Sequence, residues 1–350
     1  MRSDIRVGAR RAGPRTGAHR RHRIRGGRRV RNGIGAAREA HELSIPGGNA
    51  RRRAGRLTVP VRHTGNCCPV RLLPLPPDGR TPARVLTIGG TDSGGSAGIQ
   101  ADSRTMALLG VHACVAVAAV TVQNSLRVSD FHEIPPQTVA DQVRVVVQDI
   151  GIGAAKTGML ASAGIIEAVA EVCGAVGIGG DGTIPLVVDP VAASIHGDPL
   201  LHASALDALR HTLIPLATVV TPNLDEVRLL TGIEVVDDRT ARRAAESLHT
   251  LGQRWTIVKG GHLRTSAFST DLLYDGEKFH ELSAPRIATV HDHGAGDTLA
   301  TATACAIAHG HDIPSAVALA KEWTTRSLSA SYPLGAGHGP VSALWRLREP

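Results

Sequence analysis

Residues 86–124 read LTIGGTDSGGSAGIQADSRTMALLGVHACVAVAAVTVQN, and the order of patterns in this stretch decides the architecture. It begins in an apolar run, passes through a glycine-rich turn, enters a helix-compatible segment over 100–109 and closes on a second apolar run over 113–122. Unbroken apolar runs read as strands covered on both faces. Two of them joined by a helix make a βαβ unit of a parallel sheet.

The alternation continues along the chain. Further strands are expected over 154–157, 186–189, 218–221 and 256–259, with the first one over 85–89. Helices are expected over 137–149, 163–172, 204–212, 224–230 and 239–251. Repeated strand–helix order predicts an α/β fold, a doubly wound three-layer α/β/α sandwich on a mainly parallel central sheet. Residues 270–287 differ: two short alternating segments around Asp275-Gly276 signal a hairpin. Two closing helices follow, over 298–309 and 314–331.

The first 80 residues do not fit this pattern. They carry twenty Arg, no Lys and four acids, a balance of +16, which leaves −8 on residues 81–350. The arm has no aromatic residue to stack on a base, so a nucleic-acid partner is not expected, and its Gly-rich, Ser-poor composition is unlike a transit peptide. Its low apolar content predicts a disordered extension, translated from upstream of the true start. Residues 1–83 are accordingly read as arm plus Pro-rich linker, and 84–345 as the folded domain. No apolar run reaches the ~18 residues of a membrane span. The five cysteines are an odd count without C-x-x-C spacing, which suggests reduced thiols in a cytoplasmic protein.

In open α/β sheets ligands bind beyond the carboxyl ends of the strands, so the polar and glycine residues there are the candidates. The first strand is followed by GGTDSGGSAGIQAD (89–102), whose glycines permit close backbone approach to a ligand. Gln123 and Asn124 follow the second strand, as amides able to pair with a heterocycle edge or as a strand-end cap. Met159 stands after the third strand and Asp189 after the fourth. In TPNLDE (221–226), Asn223 and Glu226 share one face of a first helical turn; they could hold a water-rich Mg²⁺ or form a capping box. Lys259 ends the sixth strand on a glycine hinge, suited to a polyphosphate or simply solvated.

Gly294-Ala295-Gly296-Asp297 opens an alanine-rich helix. Its N–H groups could cradle an anion, with Asp297 as a base beside it, or Asp297 could only cap the helix. No G-x-x-x-x-G-K-[ST] occurs, and the histidines lack the spacing of a zinc helix.

Taken together, these motifs resemble the hydroxymethylpyrimidine/phosphomethylpyrimidine kinases of thiamine biosynthesis, in the ribokinase-like superfamily. The similarity runs from about Arg84 to Val341. Residues 86–124 match the family signature almost position for position, and KTGML, LVVDPV, TPNLDE, VKGGH, APRI and GHGPV follow in the family's order. The resemblance implies phosphoryl transfer from ATP with Mg²⁺ to 4-amino-5-hydroxymethyl-2-methylpyrimidine and then to its monophosphate. It also implies a homodimer as the usual assembly.

Carried over residue by residue, it puts Gly90, Asp102, Gln123 and Met159 in the pyrimidine pocket with Val191 nearby. Asp189, Asn223 and Glu226 would organise Mg²⁺ and phosphates, and Lys259 would touch the ATP phosphates. Gly294, Ala295 and Gly296 would form the anion hole beside the base Asp297. Two departures stand out: many members have Cys where this chain has Asp297, and Ile195-His196 replaces a Lys or Thr followed by Ser. Pyridoxal kinase on the same scaffold, and a catalytically silent pyrimidine-binding regulator, are the alternative readings.

Overall fold

A computed structural model describes residues 73–192, 203–262 and 266–348. The Arg-rich arm up to residue 72 and the Ile195-His196 departure lie outside the described residues. The described residues all belong to the compact unit His63–Pro350.

Among the described residues nine strands form one sheet: β1 (Arg84–Gly90), β2 (His112–Gln123), β3 (Val128–Glu133), β4 (Ala154–Thr157), β5 (Leu186–Val188), β6 (Val219–Val220), β7 (Trp255–Val258), β8 (Phe268–Tyr274) and β9 (Phe279–Pro285). Their spatial order is β3-β2-β1-β4-β5-β6-β7-β8-β9. All pairs from β2 to β7 are parallel, while β3, β8 and β9 pair antiparallel at the two ends. The chain moves outward from β1 to β2 and then returns to add β4 on the other side. This makes β1/β4 the switch point at which open α/β sheets bind ligands.

The six apolar runs of the sequence are the six parallel strands, and the hairpin around Asp275-Gly276 is β8–β9, with Tyr274 opposite Phe279. Strand β3 was not legible, because VSDFHE is a polar edge segment with little apolar content. Asn124 starts that hairpin: its Oδ1 accepts the N–H groups of Leu126 and Arg127 at 2.8 and 3.1 Å. Of its two expected roles, the strand-end cap is the one its side chain performs.

Among the described residues eight α-helices cover the sheet: α1 (Gly98–Leu108), α2 (Pro136–Asp149), α3 (Ala163–Ala175), α4 (Ala203–Ala208), α5 (Leu224–Thr231), α6 (Asp238–His249), α7 (Ala295–Ala308) and α8 (Ile313–Ser329). Alternate strand residues face opposite layers. Val85, Ala154, Val187 and Ile257 pack with α1, α7 and α8, whereas Leu86, Ala155, Val188 and Val258 pack with α2 to α6. Two apolar cores result, as the three-layer expectation requires.

Helix α7 owes its place to small side chains. Ala300, Ala302, Ala304 and Ala306 are fully buried, which lets the helix lie directly over β1, β4 and β5. Its N-terminus is thereby carried to the switch point. The body's packing also reaches into the expected linker, since Leu73 is buried beside Met106, Leu109 and Trp345.

Candidate active site

The strand register lines up the residues that follow each strand. Thr157 pairs with Val188, and Val188 with Val220, so Gly158, Asp189 and Thr221 stand in a row beyond the ladder. Their N–H groups still bond back to Ile88, Thr157 and Val188 at 2.9, 3.0 and 3.0 Å. The backbone in this row is therefore fixed by the sheet itself.

The glycine-rich loop is closed from within. Asp92, buried, accepts N–H groups from Gly94 at 2.7 Å, Ser96 at 2.9 Å and Ala97 at 2.8 Å. Those donors point at an internal carboxylate, so the loop is a preformed wall. Gly294 seats the turn before α7 against this wall. Its φ of +79° lies in the left-handed region, and a Cβ there would collide with the Ser96 carbonyl oxygen.

Asp297 occupies the first turn of α7 but does not cap it. Gly294 is the N-cap and receives no side-chain cap bond. Instead Asp297 Oδ2 accepts from the Gly98 N–H at 3.2 Å, and Oδ1 from Lys156 Nζ at 3.0 Å. Burial pushes the Asp297 carboxyl up, but Lys156, the Gly98 N–H and nearby His293 outweigh it and hold it below the usual carboxylate range.

Lys156 was missed by the sequence reading. It sits in the middle of β4 with its side chain 1% exposed, and it also bonds both oxygens of Asp102, at 3.0 and 2.9 Å. Burial alone would lower its pKa; Asp102, Asp297 and Asp189 raise it well above the ordinary lysine value. A lone lysine inside an otherwise apolar strand was the available signal, because lysine is almost never buried unpaired.

Asp102 lies elsewhere than on the pocket wall to which the resemblance assigned it. Its side chain is 1% exposed, and the hydroxyls of Thr87 (2.5 Å) and Thr301 (2.6 Å) join Lys156 in filling its four acceptor positions. Nothing of it is left to face a ligand. Burial raises its pKa to about 6, against the opposing pull of Lys156.

A second charged group stands on the far side of the α7 turn. Lys259 Nζ bonds Asp189 Oδ1 at 3.0 Å, and Thr221 Oγ1 donates to the same oxygen at 2.9 Å. A Cβ built on Gly296 would lie 3.4 Å from Lys259 Nζ and 3.5 Å from Asp189 Oδ2, so the turn rests against this pair. Asn223 and Glu226 do form the capping box of α5, Asn223 Oδ1 accepting at 2.9 Å and Glu226 Oε2 at 2.8 Å. Glu226 is nonetheless part of the charged group: burial pushes its pKa up to about 8, with Lys259 opposing and Asp189 adding to the rise.

The remaining candidates meet on the β1–β2 side. Gly90 is covered by Met159, whose Cε would be 2.6 Å from an added Cβ. Gln123 Nε2 is 3.4 Å from His293 Nε2, and its Oε1 is 3.4 Å from the Thr121 hydroxyl. Ser93 clamps the backbone beneath it, accepting the Gln123 N–H and donating to the Gln123 carbonyl, both at 2.8 Å. Val191 lines a small recess with Gly158 and Asp189. His293, set aside in the sequence with the other histidines as lacking zinc spacing, is thus a buried neighbour of both Gln123 and Asp297. Among the described residues no group of three His, Cys, Asp or Glu is arranged to hold a metal.

The phosphomethylpyrimidine kinase family model matches residues 92–342. A hydroxymethylpyrimidine/phosphomethylpyrimidine kinase of Mycobacterium leprae is 62% identical over 278 residues, 78% of this chain and 98% of the relative. Among solved structures, an ADP complex of Bacillus subtilis pyridoxal kinase aligns with a TM-score of 0.68 at 33% identity, covering 76% of this chain and 98% of that one. A phosphomethylpyrimidine kinase from Clostridium difficile aligns at 0.61 and 32% identity, over 70% of this chain and 99% of that one. A ribokinase-like sheet with this row of strand-end groups, matched by a family model over most of the body, identifies the chain as a member of the phosphomethylpyrimidine kinase family.

Proposed function

We propose that this chain transfers the γ-phosphoryl group of ATP to the hydroxymethyl oxygen of 4-amino-5-hydroxymethyl-2-methylpyrimidine, and then phosphorylates the monophosphate to the diphosphate. The observation that carries this reading is Asp297, kept ionised by Lys156 and the Gly98 N–H in the first turn of α7. The side chain is 15% exposed, against 1% for Lys156, so the carboxylate is the part of the charged group that substrate can reach.

In the transfer, Asp297 accepts the proton of the attacking hydroxyl while that oxygen bonds to the γ-phosphorus. The bond from phosphorus to the β–γ bridging oxygen breaks and ADP leaves. The N–H groups of Gly294 and Gly296 and the positive end of α7 stabilise charge on the transferring group, while the Ala295 N–H, expected beside them, donates to the Asp292 carbonyl oxygen at 3.1 Å. Lys259, across the turn, offsets charge on the ATP phosphates.

The residues present fit Mg²⁺. Thr221 and Lys259 both bond Asp189 Oδ1, which leaves Oδ2 beside Gly296, and the buried Glu226 carboxyl stands in the same group. One or two carboxylates with waters and substrate phosphates is how Mg²⁺ is usually held. When bound, the ion would neutralise phosphate charge.

Gly90, Met159 and Val191 supply the apolar faces for the pyrimidine, and the Gln123 amide its polar edge. Asp102 serves from below, through Lys156. Residues 84–345 are the kinase domain of this reading, with the linker packed onto it from Leu73, and the Arg-rich arm an appendage to it. We further place the protein in the cytoplasm, in keeping with the buried free thiols Cys114, Cys173 and Cys305. A homodimer is proposed through the exposed Val120, Val122 and Leu126 around the β2–β3 hairpin.

Pyridoxal is the second reading, favoured by the alignment with the Bacillus subtilis pyridoxal kinase. Release of ADP from MgATP with hydroxymethylpyrimidine, its monophosphate or pyridoxal separates the two. Turnover is expected with both pyrimidines, and turnover with pyridoxal alone overturns the assignment.

A further inference from the structure

Three acidic or basic side chains from distant parts of the chain form a buried row: Asp102 on α1, Lys156 on β4 and Asp297 on α7. Only Asp297 opens outward. Asp102 is anchored by two threonine hydroxyls, Thr87 from β1 and Thr301 from α7. Lys156 Nζ bonds three carboxylate oxygens, a full set for its three protons. It cannot turn away without leaving two buried carboxylates unpaired.

We infer that Lys156 is a positioning residue for phosphoryl transfer: anchored from below by Asp102, it fixes the Asp297 carboxylate in place and keeps it ionised, although it touches neither substrate nor ATP. The inference rests on Asp297 being the base proposed above. Two observations beyond the ion pair support it. Gly158 leaves room for the lysine head, since a Cβ there would lie 3.1 Å from Nζ and 3.8 Å from Asp297 Oδ1. The Gly98 N–H holds the other Asp297 oxygen, so the carboxylate is fixed at both ends. The Asp102 carboxylate, bonded to the same lysine, would otherwise push Asp297 toward its protonated, inactive form.

The charged groups facing Asp297 are Lys156 from β4 and His293 from the turn before α7, with Asp102 and Asp189 acting beyond the lysine. Removing the lysine takes away the dominant cation and leaves the repulsion.

The test is the pH dependence of kcat, read by ADP release with the full chain, MgATP and hydroxymethylpyrimidine, alongside thermal melting. Lys156→Met is expected to move the acid limb of kcat upward by about one to three pH units, the usual effect of an adjacent opposite charge. KM for the pyrimidine should change far less. Because that variant leaves two buried carboxylates facing each other and can fail to fold, Asp102→Asn/Lys156→Met removes the pair together. Its melting temperature is expected near the parent's, with the acid limb still displaced. Asp102→Asn alone keeps the cation beside Asp297 and should leave the limb in place.

Lys156→Arg retains a cation and should also keep the parental limb at reduced kcat; a displaced limb in that variant overturns the inference. So does a folded double variant with the parental profile. Asp297→Asn in the same assay tells the two claims apart. Parental turnover there removes the base assignment itself, whereas an inactive Asp297→Asn with an unmoved limb in the lysine variants removes only the role of Lys156.

Discussion

Gly294 and Ser96 meet backbone to backbone: the Gly294 Cα faces the Ser96 carbonyl oxygen so closely that no side chain fits between them. The turn that opens α7 is thus keyed to the glycine-rich wall through a residue with φ of +79°. Gly294→Ala meets both a left-handed backbone, about 1–2 kcal/mol for an L-residue, and a collision with main chain that cannot rotate away. We expect kcat to fall by about two orders of magnitude as the N–H donors leave register, the effect of losing one oxyanion donor. Melting should drop by only a few degrees, and steady-state kinetics beside a thermal melt checks both.

Asp297→Asn keeps the shape of the side chain and removes the proton acceptor. General-base catalysis is worth about 10²–10⁴ in rate, so kcat should fall within that range while KM for the pyrimidine stays close to the parent's. Asp297→Cys should retain measurable turnover with its acid limb moved to higher pH, since a thiol ionises at about 8.5 against about 3.9 for an aspartate. Parental turnover in the asparagine variant would remove Asp297 from the mechanism.

Glu226 makes stability depend on pH with an unusual sign. Burial raises its folded-state pKa from 4.5 to about 8, so between those values the folded chain holds a proton that the unfolded chain has lost. Stability from this group is greatest below the unfolded pKa and declines as pH rises toward 8. Glu226→Gln keeps an oxygen for the capping bond but cannot ionise. Its melting temperature should therefore vary less from pH 5 to 8 than the parent's, while KM for MgATP rises if the carboxylate helps to hold the metal. A parental pH dependence of melting would assign the burial effect to another group.

Leu73 sets a boundary for truncation. Deleting residues 1–72 should leave kcat and melting unchanged, because the family model's match starts at residue 92 and this deletion keeps the buried Leu73 in place. Leu73→Ala should cost about 2–5 kcal/mol, as for other buried leucines, and lower melting clearly. Loss of activity in the shorter chain would give the Arg-rich arm a role in the enzyme.

The strand pattern was readable because each parallel strand is apolar on both faces, a property of consecutive residues. The capping box of Asn223 and Glu226 was readable for the same reason, as a spacing of three within one helix. Edge strand β3 was not, since a half-solvated hairpin arm carries no unbroken apolar run. Asp297 was recognisable as a candidate, yet cap and base look alike in a glycine-bounded first turn.

By itself the sequence determined the parallel sheet, the hairpin, the helix starts and the family signature, because these are set by local periodicity and by short motifs. Only the tertiary structure decided what the charged residues do. Asp102, Lys156 and Asp297 are far apart in the chain, and their pairing exists only because α1, β4 and the alanine-rich α7 converge at the switch point. Burial then makes each charge depend on the others. That dependence moves Asp102 from the pocket wall to the foundation beneath Asp297, and makes an unremarked lysine its link to the reacting carboxylate.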